Sequence, residues 1–168
     1  WTLPVQRAFG PVAAYNLAVF SSFWLSGFAA FGLCRHVCNT RHGKGDLPAL
    51  LGAAAFALSP HLVAQAYNGI SETLTAGTFA LATWATLHLI ERPTLKNAGL
   101  AAGAGALCML SNNYYGLFAV LGALVLGVTS AAGRWERVNW RGLPLPVIVA
   151  GAIAGLLVAP SLWLFSKS

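Results

Sequence analysis

The chain has 168 residues, of which 57% are hydrophobic and only 8% are charged, with a formal net charge of +6. Because soluble domains carry about 25% charged residues, this composition excludes an ordinary soluble domain and predicts a membrane protein. The chain begins at Trp1, and no segment combines the basic start, short apolar core and small-residue cleavage site of a signal peptide. We therefore expect an internal piece of a longer protein.

Long uncharged runs predict where the chain crosses the membrane, because a transmembrane helix needs about 20 apolar residues. The run from 97 to 133 is too long for one crossing and fits two helices joined at the sequence SNNYYG, residues 111–116. The sequence thus predicts an all-α, polytopic transmembrane helical bundle in which residues 1–168 form a single domain. About six helices are expected, at 11–34, 47–66, 71–90, 97–110, 114–132 and 143–166.

The basic residues predict the orientation of these helices. Eight of them lie in the loops after the first, third and fifth predicted helices: Arg35, Arg41, Lys44, Arg92, Lys96, Arg134, Arg137 and Arg141. By the positive-inside rule these loops are cytoplasmic, and the loops at 59–71 and 111–115 face outward. The positive charge is therefore read as a topology signal that implies no nucleic-acid partner, although binding of anionic membrane lipid is compatible with it.

A cluster of thiols and imidazoles follows the first predicted helix. Cys34, His36, Cys38 and His42 are residue types that zinc prefers, which keeps metal binding open as an alternative. Their spacing is not that of a standard zinc finger, and the segment is expected to be a short cytoplasmic loop. Free thiols are therefore favoured, with no metal site and no disulfide, and Cys108 is interpreted as a small core residue.

Glycine pairs predict close contact between helices. Gly99 and Gly103, like Gly151 and Gly155, have the G-x-x-x-G spacing that lets helix backbones approach in lipid. We expect these pairs to mediate packing within the bundle.

The outward loop at 59–73 carries several polar residues. Pro60 is expected to break or kink the second helix, and Ser71 is a candidate N-cap for the third. Glu72 then lies in the first turn, where a negative charge favours the helix dipole. Capping alone explains Glu72 without a substrate.

The lengths of two helices predict a polar cavity. The second helix before Pro60 and the fourth helix each span about 21 Å, less than the ~30 Å hydrocarbon core. Their polar ends are then expected to meet in an outward-facing cavity. The residues that would converge on it are His61, Asn68, Glu72, Asn112, Asn113, Tyr114 and Tyr115. Alternatively, both helices continue to the surface, so that the amides cap helices and the tyrosines form an interfacial belt.

Three short patterns carry a resemblance to a known superfamily. They are the pair Tyr15-Asn16 opening a helix that ends at Arg35, the element AFALSP at 55–60, and Tyr114-Tyr115-Gly116. Over residues 10–127 the chain resembles bacterial multi-spanning proteins of the C-type glycosyltransferase superfamily, which are similar to polyprenyl-phosphate-dependent mannosyl- and arabinosyltransferases. The resemblance implies an integral protein of the bacterial cytoplasmic membrane that passes a sugar from a lipid-linked donor to an acceptor on the extracytoplasmic face.

The resemblance also implies an inverting reaction with a carboxylate base, usually one of an acidic pair and often with a divalent metal. The four acids of this chain, Asp46, Glu72, Glu91 and Glu136, form no such pair. The catalytic base and most ligands of any metal are therefore expected upstream of Trp1. The polar outward residues are assigned to substrate binding.

Two other classes of function are compatible with the sequence. A transporter or flippase domain for a lipid-linked or small polar solute would use the same broken helices and buried polar groups. A scaffold subunit is the other alternative, and the polar outward loops count against it.

Overall fold

The computed structural model describes residues 3–42, 45–69, 75–130 and 142–165. All secondary structure in these ranges is helical, which confirms the all-α prediction. The helical segments are α1 (Leu3–His42), α2 (Asp46–Ala57), α3 (Pro60–Tyr67), α4 (Ala76–Glu91), α5 (Leu95–Ser111), α6 (Asn113–Thr129) and α7 (Pro144–Phe165).

Within the described ranges, three segments are long and apolar enough to cross a membrane: Leu3–Cys38, Asp46–Tyr67 and Pro144–Ser161. The second combines α2 and α3, so these two segments correspond to one predicted helix. The chain is therefore a helical membrane protein, as its composition predicts. α5 and α6 have 17 residues each, which is about 26 Å and slightly less than the hydrocarbon core.

α1 shows where hydropathy and helix boundaries differ. Its regular part begins after Gly10, whose φ of 87° lies in the left-handed region that glycine tolerates, and Pro11 follows as the predicted start. The predicted end at 34 is wrong, because the helix continues to His42. The segment from Cys34 to His42 is polar but contains no glycine or proline. Because those are the residues that most disfavour a helix, the helix continues beyond the end of the apolar run.

The break between α2 and α3 confirms the predicted effect of Pro60. Ser59 is extended, with φ −57° and ψ 141°, and its Oγ accepts a hydrogen bond from the Leu62 N–H at 3.4 Å. Pro60 occupies the first helical position, where a missing N–H is tolerated. The chain then continues as α3 to Tyr67.

The predicted turn at SNNYYG is also present. Asn112 alone separates α5 from α6, in an extended conformation with φ −159° and ψ 120°. α6 folds back, so that its residues Tyr115 and Ala119 pack against a buried cluster that includes Ala104 and Cys108 of α5. The two helices therefore form a tight hairpin.

The helices pack into two units, Trp1–Gly77 and Thr78–Ser168. In the first, α1 packs along α2; in the second, α5 packs on α6 and α7. The buried side chains are mainly alanines, including Ala29, Ala49, Ala53, Ala98, Ala102 and Ala106. Such small residues let helix backbones approach closely. In lipid this matters because van der Waals packing, and not the hydrophobic effect, drives helix association. That residues 1–168 form a single domain stays a prediction.

The predicted packing role of the glycine pairs is wrong for the described residues. A Cβ atom added to Gly99, Gly103, Gly151 or Gly155 would meet nothing within 4 Å. α5 instead buries a row of alanines at 98, 102 and 106, which lies next to the row that contains Gly99 and Gly103. Spacing alone does not distinguish these two neighbouring stripes.

Candidate functional site

The end of α3 is held against α1 by a phenol. The Tyr15 hydroxyl donates a hydrogen bond to the Ala66 carbonyl oxygen at 3.3 Å. Asn68 follows as the C-cap residue, with its N–H donating to the Ala64 carbonyl at 2.9 Å. The predicted site residue Asn68 is exposed at the end of the membrane span. The nearby Tyr15 hydroxyl was not among the residues predicted for the site.

His61 lies inside the same span. It is exposed, directly after Pro60, and about 9 Å along the helix from the end at Tyr67. Gln65 lies one turn further, and its Oε1 is buried without a hydrogen-bond partner among the described residues. An ionisable side chain within an apolar span marks a candidate functional site, and the binding role selected for His61 from sequence stays a prediction.

The depth predicted for this polar group needs a correction. The cavity hypothesis counted only the part of the second helix before Pro60, about 21 Å, while the alternative let the helix continue to the surface. The span instead continues through α3 and contains 22 residues, about 33 Å, which is sufficient for the hydrocarbon core. α2 ends at Ala57, and Ser59 and Pro60 start α3, so the membrane span continues beyond the break.

Glu72 and its proposed N-cap Ser71 lie outside the described residues. The capping and binding interpretations of Glu72 therefore both stay predictions.

The SNNYYG turn divides its polar residues between two roles. The Asn112 side-chain oxygen accepts a hydrogen bond from the Tyr114 N–H at 2.9 Å, which caps α6. Tyr115 is half-buried and packs against the cluster of Ala82, Ala104 and Cys108. Asn113 and Tyr114 are exposed. These two side chains are the ones in the turn that are most accessible to a ligand.

The predicted site residues belong to both units. His61 and Asn68 lie in the first unit, and Asn112 to Tyr115 lie in the second. Their convergence on one cavity stays a prediction.

The thiols near the end of α1 have a packing role. Cys34 and Cys38 are one helical turn apart, and a Cβ on Gly52 of α2 would lie 2.9 Å from the Cys34 Sγ. The segment from Cys34 onward is helical, not the predicted loop, so these side chains follow helical register. Within the described ranges, no three His, Cys, Asp or Glu side chains are grouped as metal ligands.

Asp46 takes part in an ion pair. The Arg35 Nε donates to Asp46 Oδ1 at 2.7 Å, and this links α1 to the start of α2. Both side chains are more than half exposed, so the pair contributes only about 0.2–1 kcal/mol to stability. Asp46 thus has a structural partner at the end of the span remote from His61.

No protein family, curated protein or solved structure matches this chain. The site itself offers an imidazole, amides and a phenol, which are groups that bind hydroxyls and phosphates. Such groups can position a ligand, while activation of a hydroxyl nucleophile requires a base of suitable geometry.

Proposed function

We propose that the chain is part of an integral membrane glycosyltransferase that takes a sugar from a polyprenyl-phosphate donor and passes it to an acceptor on the extracytoplasmic face. One structural observation supports this most directly. Exposed polar side chains follow two non-helical points in the chain: His61 follows the break at Leu58 and Ser59, and Asn113 and Tyr114 follow the turn at Asn112.

The orientation of the site follows from the basic residues. Arg35 lies near the end of α1, Arg92 lies in the connection between α4 and α5, and Lys96 lies in the first turn of α5. With these ends on the cytoplasmic side, the breaks lie toward the opposite face of a bacterial cytoplasmic membrane. A lipid-linked donor presents its phosphate and sugar at that face.

Each unit offers groups that suit part of a lipid-phosphosugar donor. In the first unit, the His61 imidazole donates a hydrogen bond to a phosphate. In the second unit, the Asn113 amide pairs with sugar hydroxyls. The Tyr114 ring, which is 72% exposed, supplies an apolar face with a polar tip against the sugar. The base that deprotonates the acceptor belongs, on this proposal, to the region upstream of Trp1.

A divalent metal does not fit the described part of the chain. Hard cations take six or more oxygen ligands or retain water around one or two carboxylates. Asp46 is paired with Arg35, and the described ranges group no three candidate ligands. No step is therefore assigned to a metal held by these residues.

A transporter or flippase is the second candidate. The interruption inside the span Asp46–Tyr67 favours it, because secondary transporters form substrate sites from discontinuous helices. The two candidates differ in whether a covalent bond to the sugar is broken.

Site variants of the full-length protein test the proposal. The protein is reconstituted in lipid and supplied with polyprenyl-phosphate-linked mannose or arabinose, and transfer of the labelled sugar to water-soluble or lipid acceptors is measured. We expect His61→Ala and Tyr114→Ala each to reduce transfer at least ten-fold, while Leu51→Ala, at an exposed apolar position of α2, leaves it within two-fold. Unchanged transfer in both site variants would contradict the assigned roles. Movement of intact donor across the vesicle without transfer would favour the transporter.

A further inference from the structure

The break between α2 and α3 leaves backbone groups without partners. In a regular α-helix each N–H bonds to the carbonyl four residues earlier. Here the Leu58 N–H still bonds to Ala54 at 2.9 Å, but the Ser59 N–H shifts to the Phe56 carbonyl at 3.3 Å. Pro60 has no N–H to donate.

The next turn begins a separate set of hydrogen bonds. The Leu62 N–H donates to the Ser59 side chain, and the Val63 N–H donates to the Ser59 carbonyl at 3.1 Å. Four groups consequently have no hydrogen-bond partner in the described part of the chain: the carbonyl oxygens of Ala55, Ala57 and Leu58 and the N–H of His61.

These groups lie within the thickness of the membrane. Leu58 is about 18 Å beyond Asp46 and about 14 Å before Tyr67 along the helix axis. Both distances place the break well inside a hydrocarbon core of ~30 Å. Lipid tails offer no hydrogen bonds, so non-helical backbone at this depth persists only inside protein or beside water.

The break opens toward the surface of its unit. Leu58 is 67% exposed, and Pro60 and His61 are exposed as well. The side chains of the first unit therefore leave this surface uncovered.

From these observations we propose that the break at Leu58–Ser59 lines a water-filled crevice within the membrane, open at the end where α3 terminates. Its free carbonyl oxygens accept hydrogen bonds from water and from the hydroxyl groups of an entering ligand. His61 belongs both to the proposed donor site and to this crevice. The crevice therefore rests on the proposed function only for the identity of the ligand that enters it. The crevice itself is argued from backbone pairing, depth and exposure, independently of the proposed function.

Cysteine accessibility tests the crevice without any sugar donor. The full-length protein is prepared with Cys34→Ser and Cys38→Ser, leaving the fully buried Cys108 as a reporter of folding. Leu58→Cys and, separately, His61→Cys are added to this background. A charged, membrane-impermeant methanethiosulfonate reagent is then applied from the side predicted to be extracytoplasmic, and thiol modification is followed by mass spectrometry.

Leu51→Cys is the matched control. Leu51 is 63% exposed and lies seven residues before Leu58, which places it on the same helix face two turns away. We expect Leu58→Cys and His61→Cys to react at least ten times faster than Leu51→Cys, with Cys108 unreactive. Rates at 58 and 61 as slow as at 51 would overturn the crevice, because lipid or protein would then cover the break. Reaction of Cys108 identifies an unfolded variant, in which case the second position decides.

Discussion

Gly116 lies directly against the backbone of Met109 across the turn at Asn112. A Cβ atom on Gly116 would fall 2.7 Å from the Met109 Cα, which is closer than real Cβ atoms approach. The absent side chain is therefore what allows α6 to fold back on α5 immediately after one extended residue. The geometry of the SNNYYG turn depends on this contact.

The first prediction concerns this contact. Gly116→Ala should destabilise the protein by about 1–3 kcal/mol, since overpacking displaces backbone that has no room to move. Thermal unfolding in detergent measures the change. Gly122→Ala on the same helix is the control, because a Cβ there meets nothing within 4 Å and alanine raises helix propensity. Equal loss of stability in both variants would contradict the contact.

The capping role of Asn112 gives the second prediction. Asn112→Ala removes the acceptor for the Tyr114 N–H and should cost about 0.5–2 kcal/mol. Asn112→Asp and Asn112→Ser retain a capping oxygen, so they should recover most of that stability. Asn113→Ala, at the exposed neighbouring position, should change the free energy of unfolding by less than about 0.5 kcal/mol. Capping would be refuted by an alanine variant as stable as the parent protein.

The third prediction concerns the bond between α1 and the end of α3. Tyr15→Phe removes the hydroxyl that donates to the Ala66 carbonyl and should cost about 0.5–1.5 kcal/mol. Tyr67→Phe makes the same chemical change at a residue that is 93% exposed, and we expect it to be neutral. Urea unfolding in mixed micelles compares the two, and identical midpoints would show that the bond adds no stability.

The ion pair of Arg35 and Asp46 supplies the fourth prediction. A double-mutant cycle with Arg35→Ala and Asp46→Ala should give a coupling free energy of about 0.2–1 kcal/mol at low salt. Because both side chains are largely exposed, this coupling should decline toward zero at 1 M salt, where the Debye length is about 3 Å. A coupling free energy that is unaffected by salt would contradict the solvent exposure of the two side chains.

Much of this fold can be predicted from sequence, because the length of an apolar run determines whether it can cross the membrane as a helix. The runs locate the helices, Pro60 marks the break in the second span, and the polar letters at 111–116 mark the hairpin turn. Each of these signals acts locally, through hydrophobicity or through a missing backbone N–H.

Other features depend on packing between helices, which spacing does not encode. The stripe of alanines at 98, 102 and 106 packs in preference to the neighbouring Gly99 and Gly103, although both stripes have suitable spacing. Likewise, α1 continues to His42 past the end of its apolar run, because a helix need not end where the chain leaves the membrane. In the candidate site, His61 and Tyr114 are exposed and their binding role stays a prediction, whereas the packing of Tyr115 became visible only in the structure.

We propose that the chain frames the substrate of a lipid-phosphosugar transferase, and sugar transfer by the intact full-length protein tests this claim most directly. The protein is given polyprenyl-phosphate donors, and each acidic residue upstream of Trp1 is replaced by alanine in turn. We predict transfer by the parent protein and its loss on removal of one extracytoplasmic acid. No transfer by the parent protein, or full transfer by every variant, would contradict the claim.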